Sequence, residues 1–285
     1  MKPQLQKIPL PVDQSFSIKT DISKKFYSQW HYHPEIELVW IIEGNGTALI
    51  GDSIINIGND TLLMVGSDLP HLFRSDDESS KYESAITETI TVHFTTEILS
   101  SFLALPENKN ILSLIEKSKL GLKINGETKR IVTNYLKHLS YMQNTQRLIS
   151  LLQILNTLAE SDEHHPISGN TLKVFTNKQD ENRLNRIYHY TLNNFHREIM
   201  LKDISDIIHM TPHAFCRYFK SRTKKKYSQF LLEVRVSHAC KLLKETDFSI
   251  GVISFESGFM NLSNFNRHFK QITGKTPLQY KKHSY

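Results

Sequence analysis

The rhythm of apolar and polar positions changes twice along this chain. From residue 16 to about 95, Ile36 to Ile42, Thr47 to Ile50 and Thr61 to Val65 are short runs rich in branched and aromatic side chains. Gly44-Asn45-Gly46, Gly51-Asp52 and Gly58-Asn59-Asp60 punctuate them. Branched residues suit a pleated surface and the Gly/Asn/Asp clusters supply turn backbones, so the spacing predicts a small β-barrel or sandwich. Near Thr96 the period becomes helical. Ile131, Val132, Tyr135, Leu136, Leu139 and Met142 follow one helix face. The next segment, Arg147 to Leu158, carries Leu148, Ile149, Leu151, Leu152, Ile154, Leu155 and Leu158 almost all round. Such a helix needs cover on more than one side, from its own domain or from a second copy across a dimer seam.

The second change follows a polar stretch. ESDEHHPISGN (160–170) and the weakly patterned residues up to about Asp180 read as an interdomain linker. From Asn182 onward the pattern is helical throughout. Leu184, Ile187, Tyr188, Leu192 and Phe195 make a first stripe. Further helices are predicted over Leu201 to His209, Pro212 to Arg222, Ser228 to Lys244, Ile250 to Ser257 and Leu262 to Ile272, with a last turn from Pro277.

Charge sharpens this division. The first 180 residues hold 17 Lys+Arg against 21 Asp+Glu, and the remainder 18 against 8. A basic excess confined to one helical domain is the electrostatic footprint of a polyanion binder. No uncharged apolar run approaches the ~18 residues of a membrane span. MKPQLQKIPLPVDQ lacks the apolar stretch of a secretory signal, and Cys216 and Cys240 cannot build a disulfide framework. The expectation is a cytoplasmic protein with no membrane partner.

The helical domain repeats internally. At an offset of 50 residues Phe215 pairs with Phe265, Arg217 with Arg267, Phe219 with Phe269, Lys220 with Lys270, Thr223 with Thr273, Lys225 with Lys275, Gln229 with Gln279 and Phe230 with Tyr280. An offset of 49 aligns Leu201, Ile204 and Ser205 with Ile250, Ile253 and Ser254. The unit is a short helix, a turn and a second helix, the plan of a helix-turn-helix whose second helix lies in the major groove. Thr211 and Asn261 are placed as N-caps, with Pro212 at a first helical position. Phe215, Phe219 and Tyr218 are expected inward, leaving His213, Cys216, Arg217 and Lys220 outward. In the second copy Phe265 and Phe269 go inward, and Ser263, Asn266, Arg267 and Lys270 face out. Arg can take guanine O6/N7 and Asn adenine N6/N7. Lys224-Lys225-Lys226 reads as a solvated basic turn or as a phosphate contact.

These residues carry a family resemblance. RVSHACKLLKETDFSIGVISFESGFMNLSNFNRHFKQITGKTPLQY resembles the DNA-binding domain of the AraC/XylS family of bacterial transcription regulators. The resemblance implies two helix-turn-helix units with groove-facing positions at His213, Cys216 and Arg217, and at Leu262, Ser263, Asn266 and Arg267. Two departures stand out: Lys224 occupies the position of a usual glycine, and Ser205 and Ser254 replace a common alanine.

In the amino-terminal half, His31-Tyr32-His33, Glu37 and Gly44 reproduce the first motif of cupin barrels. The second motif is worn: Gly58, Met64 in place of proline, Gly66, and His71 displaced by the loop SDLP. In extended backbone His31, His33, Glu37, Val39 and Ile41 share a face, so with His71 the polar groups would line a barrel mouth. Three imidazoles and a carboxylate could hold a divalent transition metal, line a metal-free effector pocket, or be structural. WHYHPEIELVWIIEGNG also resembles the sensor domain of AraC-type regulators, where the resemblance implies effector binding at His31, His33, Glu37 and His71 with no cofactor, and a dimer through the helices from Glu127 to Leu158. Trp30, Tyr32 and Trp40 read as core aromatics or as surfaces for stacking a sugar, which makes a carbohydrate one candidate effector.

The expected fold class is multidomain α+β: a cupin-like β-barrel with following helices over 1–165, a linker over 166–180 and an all-α DNA-binding domain with two helix-turn-helix units over 181–285. The expected function is a homodimeric, non-enzymatic regulator reading double-stranded promoter DNA under control of a small molecule, with RNA polymerase as a further partner. The alternative is a metal-dependent cupin enzyme fused to a DNA-binding domain.

Overall fold

A computed structural model describes residues 4–6, 8–10, 14–27, 29–75, 86–169 and 178–282. They fall into two compact units, one holding every strand and the helices up to Ala159, the other the helices from Lys178 onward. The α+β class expected above is the one observed.

The first unit begins with β1 (Gln4–Leu5), β2 (Ser17–Ser23), β3 (His31–Tyr32), β4 (Ile36–Glu43), β5 (Gly46–Ile50) and β6 (Ser53–Ile57). It continues with β7 (Thr61–Val65), β8 (His71–Ser75), β9 (Thr87–Phe94), α1 (Ser100–Leu103), α2 (Lys109–Ser118), β10 (Leu122–Ile124), α3 (Gly126–Leu139), α4 (Asn144–Ala159) and β11 (His164–Pro166). Two sheets form, in the orders β1-β3-β8-β5-β6 and β11-β10-β7-β4-β9-β2. Val39, Ile41, Leu63 and Val65 of the second sheet pack between the sheets with Ala48, Ile50, Ile57 and Phe73 of the first. The outer face of the second sheet, through Leu38, Trp40, Leu62, Met64, Ile90 and Val92, is covered by Val132, Leu136, Leu151, Ile154, Leu155 and Leu158 of α3 and α4. β4 is therefore apolar on both faces, which is why its sequence reads as a continuous run and not as an alternation.

α4 is clamped by its own unit along one side. Leu151, Ile154, Leu155 and Leu158 are buried there, while Ile149, Gln153 and Asn156 stay exposed.

The expected 166–180 linker is structured at both ends. Pro166 closes β11, Ile167 N donates to Gly121 O (2.9 Å), Ser168 N to Leu120 O (2.8 Å) and Ser168 Oγ to Asp52 (2.6 Å). Residues 170–177 of that span lie outside the described residues, and helix begins at Lys178. The polar residues before it serve the first unit too: the Glu163 carboxylate accepts from Thr128 N and Oγ1, each at 2.7 Å, at the start of α3. Their polarity satisfies a helix end, not solvent.

The second unit consists of α5 (Lys178–Asn194), α6 (Leu201–Ile207), α7 (Pro212–Thr223), α8 (Tyr227–Glu245), α9 (Ile250–Glu256), α10 (Leu262–Thr273) and α11 (Pro277–Lys282). α8 is shared. Tyr227, Phe230, Leu231 and Val234 in its first half are buried, with Tyr227 and Phe230 stacked against Phe219 of α7 (ring centroids 5.5 and 5.6 Å apart). Val236, Ala239, Cys240 and Leu243 in its second half form one cluster with Ile253, Phe265 and Phe269.

Candidate functional site

Two regions concentrate chemistry. In the first unit, period-2 alternation along β4 aims Glu37, Val39 and Ile41 into the space between the sheets. Register brings the rest to Glu37: His31 pairs with His71 across β3 and β8, and Glu37 pairs with His93 across β4 and β9. Glu37 Oε2 lies 2.8 Å from His71 Nε2 and 3.3 Å from His33 Nε2, and Glu37 Oε1 lies 3.9 Å from His93 Nε2. One ligand atom from each of His31, His33, Glu37 and His71 lies within 4.8 Å of all the others, and the four residues are buried. The loop before His71 does not hold it away from the group.

Burial shapes the electrostatics. It depresses His31 to about 3, helped by the neighbouring His71, and His93 to about 4. For His33 burial acts in the same sense, but the hydrogen bond and charge of Glu37 outweigh it and raise its pKa. For Glu37 burial works against ionisation, and His71 and His33 overcome it, holding the carboxyl well below the usual carboxylate range.

A cavity of about 560 Å³ opens beside this cluster, with His31, Glu37 and His93 in its wall. Thr87, Thr89, Thr91, Ser23, Gln29, Lys19 and Asp21 bring polar groups to a wall that is otherwise mainly apolar, with Phe26, Tyr27 and Phe73 as its aromatic surface and Val39 and Ile41 beside them. Trp30 and Trp40 are not in that lining. Both are buried, Trp40 against α3 and α4 with its indole N–H donated to Asp60. The aromatics available to a ligand are thus not the ones the sequence singles out. His93 was also missed; the signal was the alternation Thr87, Thr89, Thr91, His93 along one face of β9.

In the second unit the repeat extends to hydrogen bonds. Thr211 Oγ1 accepts from Ala214 N (3.3 Å), and Asn261 Oδ1 from Ser263 N (2.8 Å) and Asn264 N (3.2 Å), so both caps form. Thr223 Oγ1 donates to Phe219 O, and Thr273 Oγ1 to Phe269 O, each at 2.8 Å. Both helix-turn-helix turns hold a left-handed residue, His209 (φ 54°) and Gly258 (φ 79°), and both second helices end on one, Lys224 and Gly274. A side chain at Gly258 would strike Phe195 O, so only glycine fits there.

Phe215, Phe219, Phe265 and Phe269 are fully buried. His213, Cys216, Arg217 and Lys220 on α7, and Leu262, Ser263, Asn266, Arg267 and Lys270 on α10, are all exposed. Tyr218, expected inward, is only half-buried, because Arg183 and Arg222 stack over its ring (5.9 Å each) at the rim. In the basic turn, Lys225 Nζ is bound to Glu233 at 2.9 Å in a half-buried pair, while Lys224 and Lys226 are exposed.

Comparison with known proteins accords with this division. The profile of the AraC-like ligand binding domain matches residues 18–163, and that of a helix-turn-helix domain matches residues 204–283. A Bacillus subtilis protein, the uncharacterized HTH-type transcriptional regulator YdeC, is 21% identical over 269 residues, covering 93% of this chain and 90% of its own. An uncharacterized HTH-type transcriptional regulator of Staphylococcus aureus is 26% identical over 154 residues, covering 53% of this chain, which spans only 20% of that relative. Among solved structures, ToxT of Vibrio cholerae O395 bound to (E)-4-(8-methylnaphthalen-1-yl)but-3-enoic acid aligns over 95% of this chain and 100% of its own, at 16% identity and a TM-score of 0.38. The DNA-binding domain of AdpA in complex with a target DNA aligns over 36% of this chain and 92% of its own, at 24% identity and a TM-score of 0.35.

Proposed function

This chain belongs to the AraC-type transcription regulators, and on that footing we propose that α7 and α10 are its two DNA-reading helices and that the cavity beside Glu37 receives its effector. The reading rests on one observation: two helices fifty residues apart share caps, buried phenylalanines and an exposed Arg and Lys. Arg217 and Arg267 read guanine edges, Asn266 an adenine, and Lys220 and Lys270 hold phosphates. His213, Cys216, Leu262 and Ser263 complete the groove-facing surfaces. Because Lys225 is engaged by Glu233, the phosphate role in the basic turn passes to Lys224 and Lys226.

In the sensor unit His31, Glu37 and His93 meet the effector directly, with His33 and His71 behind them. Hydroxyls, Lys19 and Gln29 beside Phe26, Tyr27 and Phe73 suit a small oxygen-rich molecule, a carbohydrate among them. Occupancy acts by favouring one of two conformations of the chain, which sets promoter occupancy or polymerase contact. The protein works in the cytoplasm as a homodimer and senses its ligand without turning it over.

Footprinting of the full-length chain on genomic fragments, with and without candidate metabolites, tests this. Protection of two successive major grooves that shifts with one metabolite is expected. Protection unaffected by Arg217→Ala and Arg267→Ala together overturns the assignment of the reading faces.

A further inference from the structure

The two helix-turn-helix copies, α6–α7 and α9–α10, meet at a polar junction in the middle of α8. Arg235 stands there, between Phe230, which packs on α7, and Val236, which packs with α9 and α10. Its guanidinium donates from Nε to Phe195 O (2.9 Å) and from Nη2 to Arg197 O (2.8 Å), both in the loop that leads from α5 into the first copy. The same side chain reaches the second copy. It lies over the Phe259 ring (5.9 Å to the centroid), and Gly258 is pressed so closely against Phe195 O and Arg235 Nε that no Cβ fits between them. His238, one turn further along α8, packs on the Phe195 ring (centroids 4.9 Å apart), and its Nδ1 lies 3.4 Å from Ser257 Oγ. One arginine thus gathers the approach to α6 and the turn before α10. An apolar side chain would fill this place without burying a charge. Burial does lower the pKa of Arg235, with Tyr227 and Glu198 opposing the shift. What the planar fork adds is direction, and buried polar groups used in this way fix register at a cost in stability.

We propose that Arg235 is a positioning residue for DNA reading: by tying the loop before the first copy to the turn of the second, it sets the angle between α7 and α10, and with it the spacing of the two operator boxes that the chain accepts. The packing of each copy on α8 is apolar, through Phe219 on one side and Phe265 and Phe269 on the other, and apolar contact is not directional. It holds the copies down but leaves their rotation about the rod weakly specified. The bonds from Nε and Nη2 to two carbonyls of one loop, with Gly258 seated against that loop, remove this freedom. Each base pair turns the duplex by roughly a tenth of a revolution, so a change of angle between the helices is a change of register on DNA. Lysine cannot do the same work, because a single ammonium does not span two carbonyls in a fixed plane. The inference rests on the reading of α7 and α10 as the DNA-facing pair.

The test titrates the full-length chain on three duplexes: one carrying both boxes that its footprint protects, the same duplex with one base pair inserted between the boxes, and one carrying a single box. The parent should prefer the native spacing over the inserted one by at least ~10-fold. Arg235→Lys and Arg235→Met should bring that ratio close to unity while binding to the single-box duplex stays as in the parent. Circular dichroism establishes that the variants are folded. If neither folds, Phe195→Ala, which keeps the guanidinium and frees the same loop from His238, takes their place with the same expected loss of the ratio. A parent ratio near unity, or a parent-like ratio in the folded variants, overturns the proposal. An equal loss on all three duplexes overturns it too, since that is the mark of a merely structural arginine. Failure of the underlying reading looks different: Arg217→Ala and Arg267→Ala would then leave binding to every duplex unchanged, whatever the Arg235 variants do.

Discussion

Lys224 and Gly274 close equivalent helices fifty residues apart with the same left-handed backbone, at φ 61° and 74°. In each case the N–H donates back into the helix, to Lys220 O and to Lys270 O. Glycine adopts this conformation freely and lysine does not. Lys224→Gly should therefore stabilise the chain by about 0.5–1 kcal/mol, and Gly274→Ala should destabilise it by about 1 kcal/mol. Chemical denaturation of both variants checks this; a destabilised Lys224→Gly would mean that the lysine side chain makes up for the strain.

Arg217→Ala and Arg267→Ala should each weaken binding to the specific site by about 1–3 kcal/mol and relax base preference at one position. Lys220→Ala and Lys270→Ala should weaken binding to all sequences and flatten the dependence on salt. Titrations at several salt concentrations separate the two classes, and salt-independent losses for the lysines would remove them from the phosphate contacts.

The two thiols should behave oppositely. Cys216 is exposed on α7, whereas Cys240 is buried in the core of the second unit and burial pushes its pKa up to about 11. A thiol reagent should modify one cysteine in the native protein and the second only on unfolding, and bound DNA should protect Cys216. Equal labelling with and without DNA would show that α7 does not face the duplex.

Substitutions on α4 should separate folding from dimer formation. Leu151 is 1% exposed and Ile149 43% exposed. Leu151→Glu places a charge in the core and should unfold the sensor unit, while Ile149→Glu should leave it folded and shift sedimentation toward monomer. A folded dimer of the Ile149 variant would move the seam away from this face.

Acid should weaken the sensor unit. His31 and His93 are held at about 3 and about 4, below the ordinary histidine value, so between pH ~6.5 and ~4 the unfolded chain binds protons that the folded chain refuses. Each contributes a loss of up to about 1.4 kcal/mol per pH unit as pH falls through that window. His33, raised by Glu37, has the opposite sign: its contribution is complete below pH ~6.5 and is lost as pH rises through its folded value. Denaturation midpoints at pH 7 and 5 should show a net loss, and His93→Asn should reduce it; a midpoint that rises at pH 5 would reverse the balance of these histidines.

The helical unit was legible in the sequence because its signals are local. Caps at Thr211 and Asn261, i, i+4 phenylalanine pairs and the duplication fixed all seven helices to within a few residues. Tyr218 departed because an amphipathic pattern cannot tell a core position from a rim where Arg183 and Arg222 can stack. In the sheet unit His31, His33 and Glu37 share a local motif, and the structure brings His71 to them. His93 was hidden: TETITVHF reads as an ordinary alternating strand, and its meeting with Glu37 is created by register between segments distant in the chain. In ESDEHHPISGN the residues that serve the first unit could not be told from linker, since polarity looks the same whether it serves water or the bare end of α3.

α7 and α10 are braced against opposite halves of one rod, α8, which at 19 residues extends about 28 Å. On the proposed reading of α7 and α10 as the DNA-facing pair, that arrangement is a fixed caliper: an extra base pair between two operator boxes turns one box by roughly a tenth of a revolution, a mismatch that an unbroken helix has no joint to absorb.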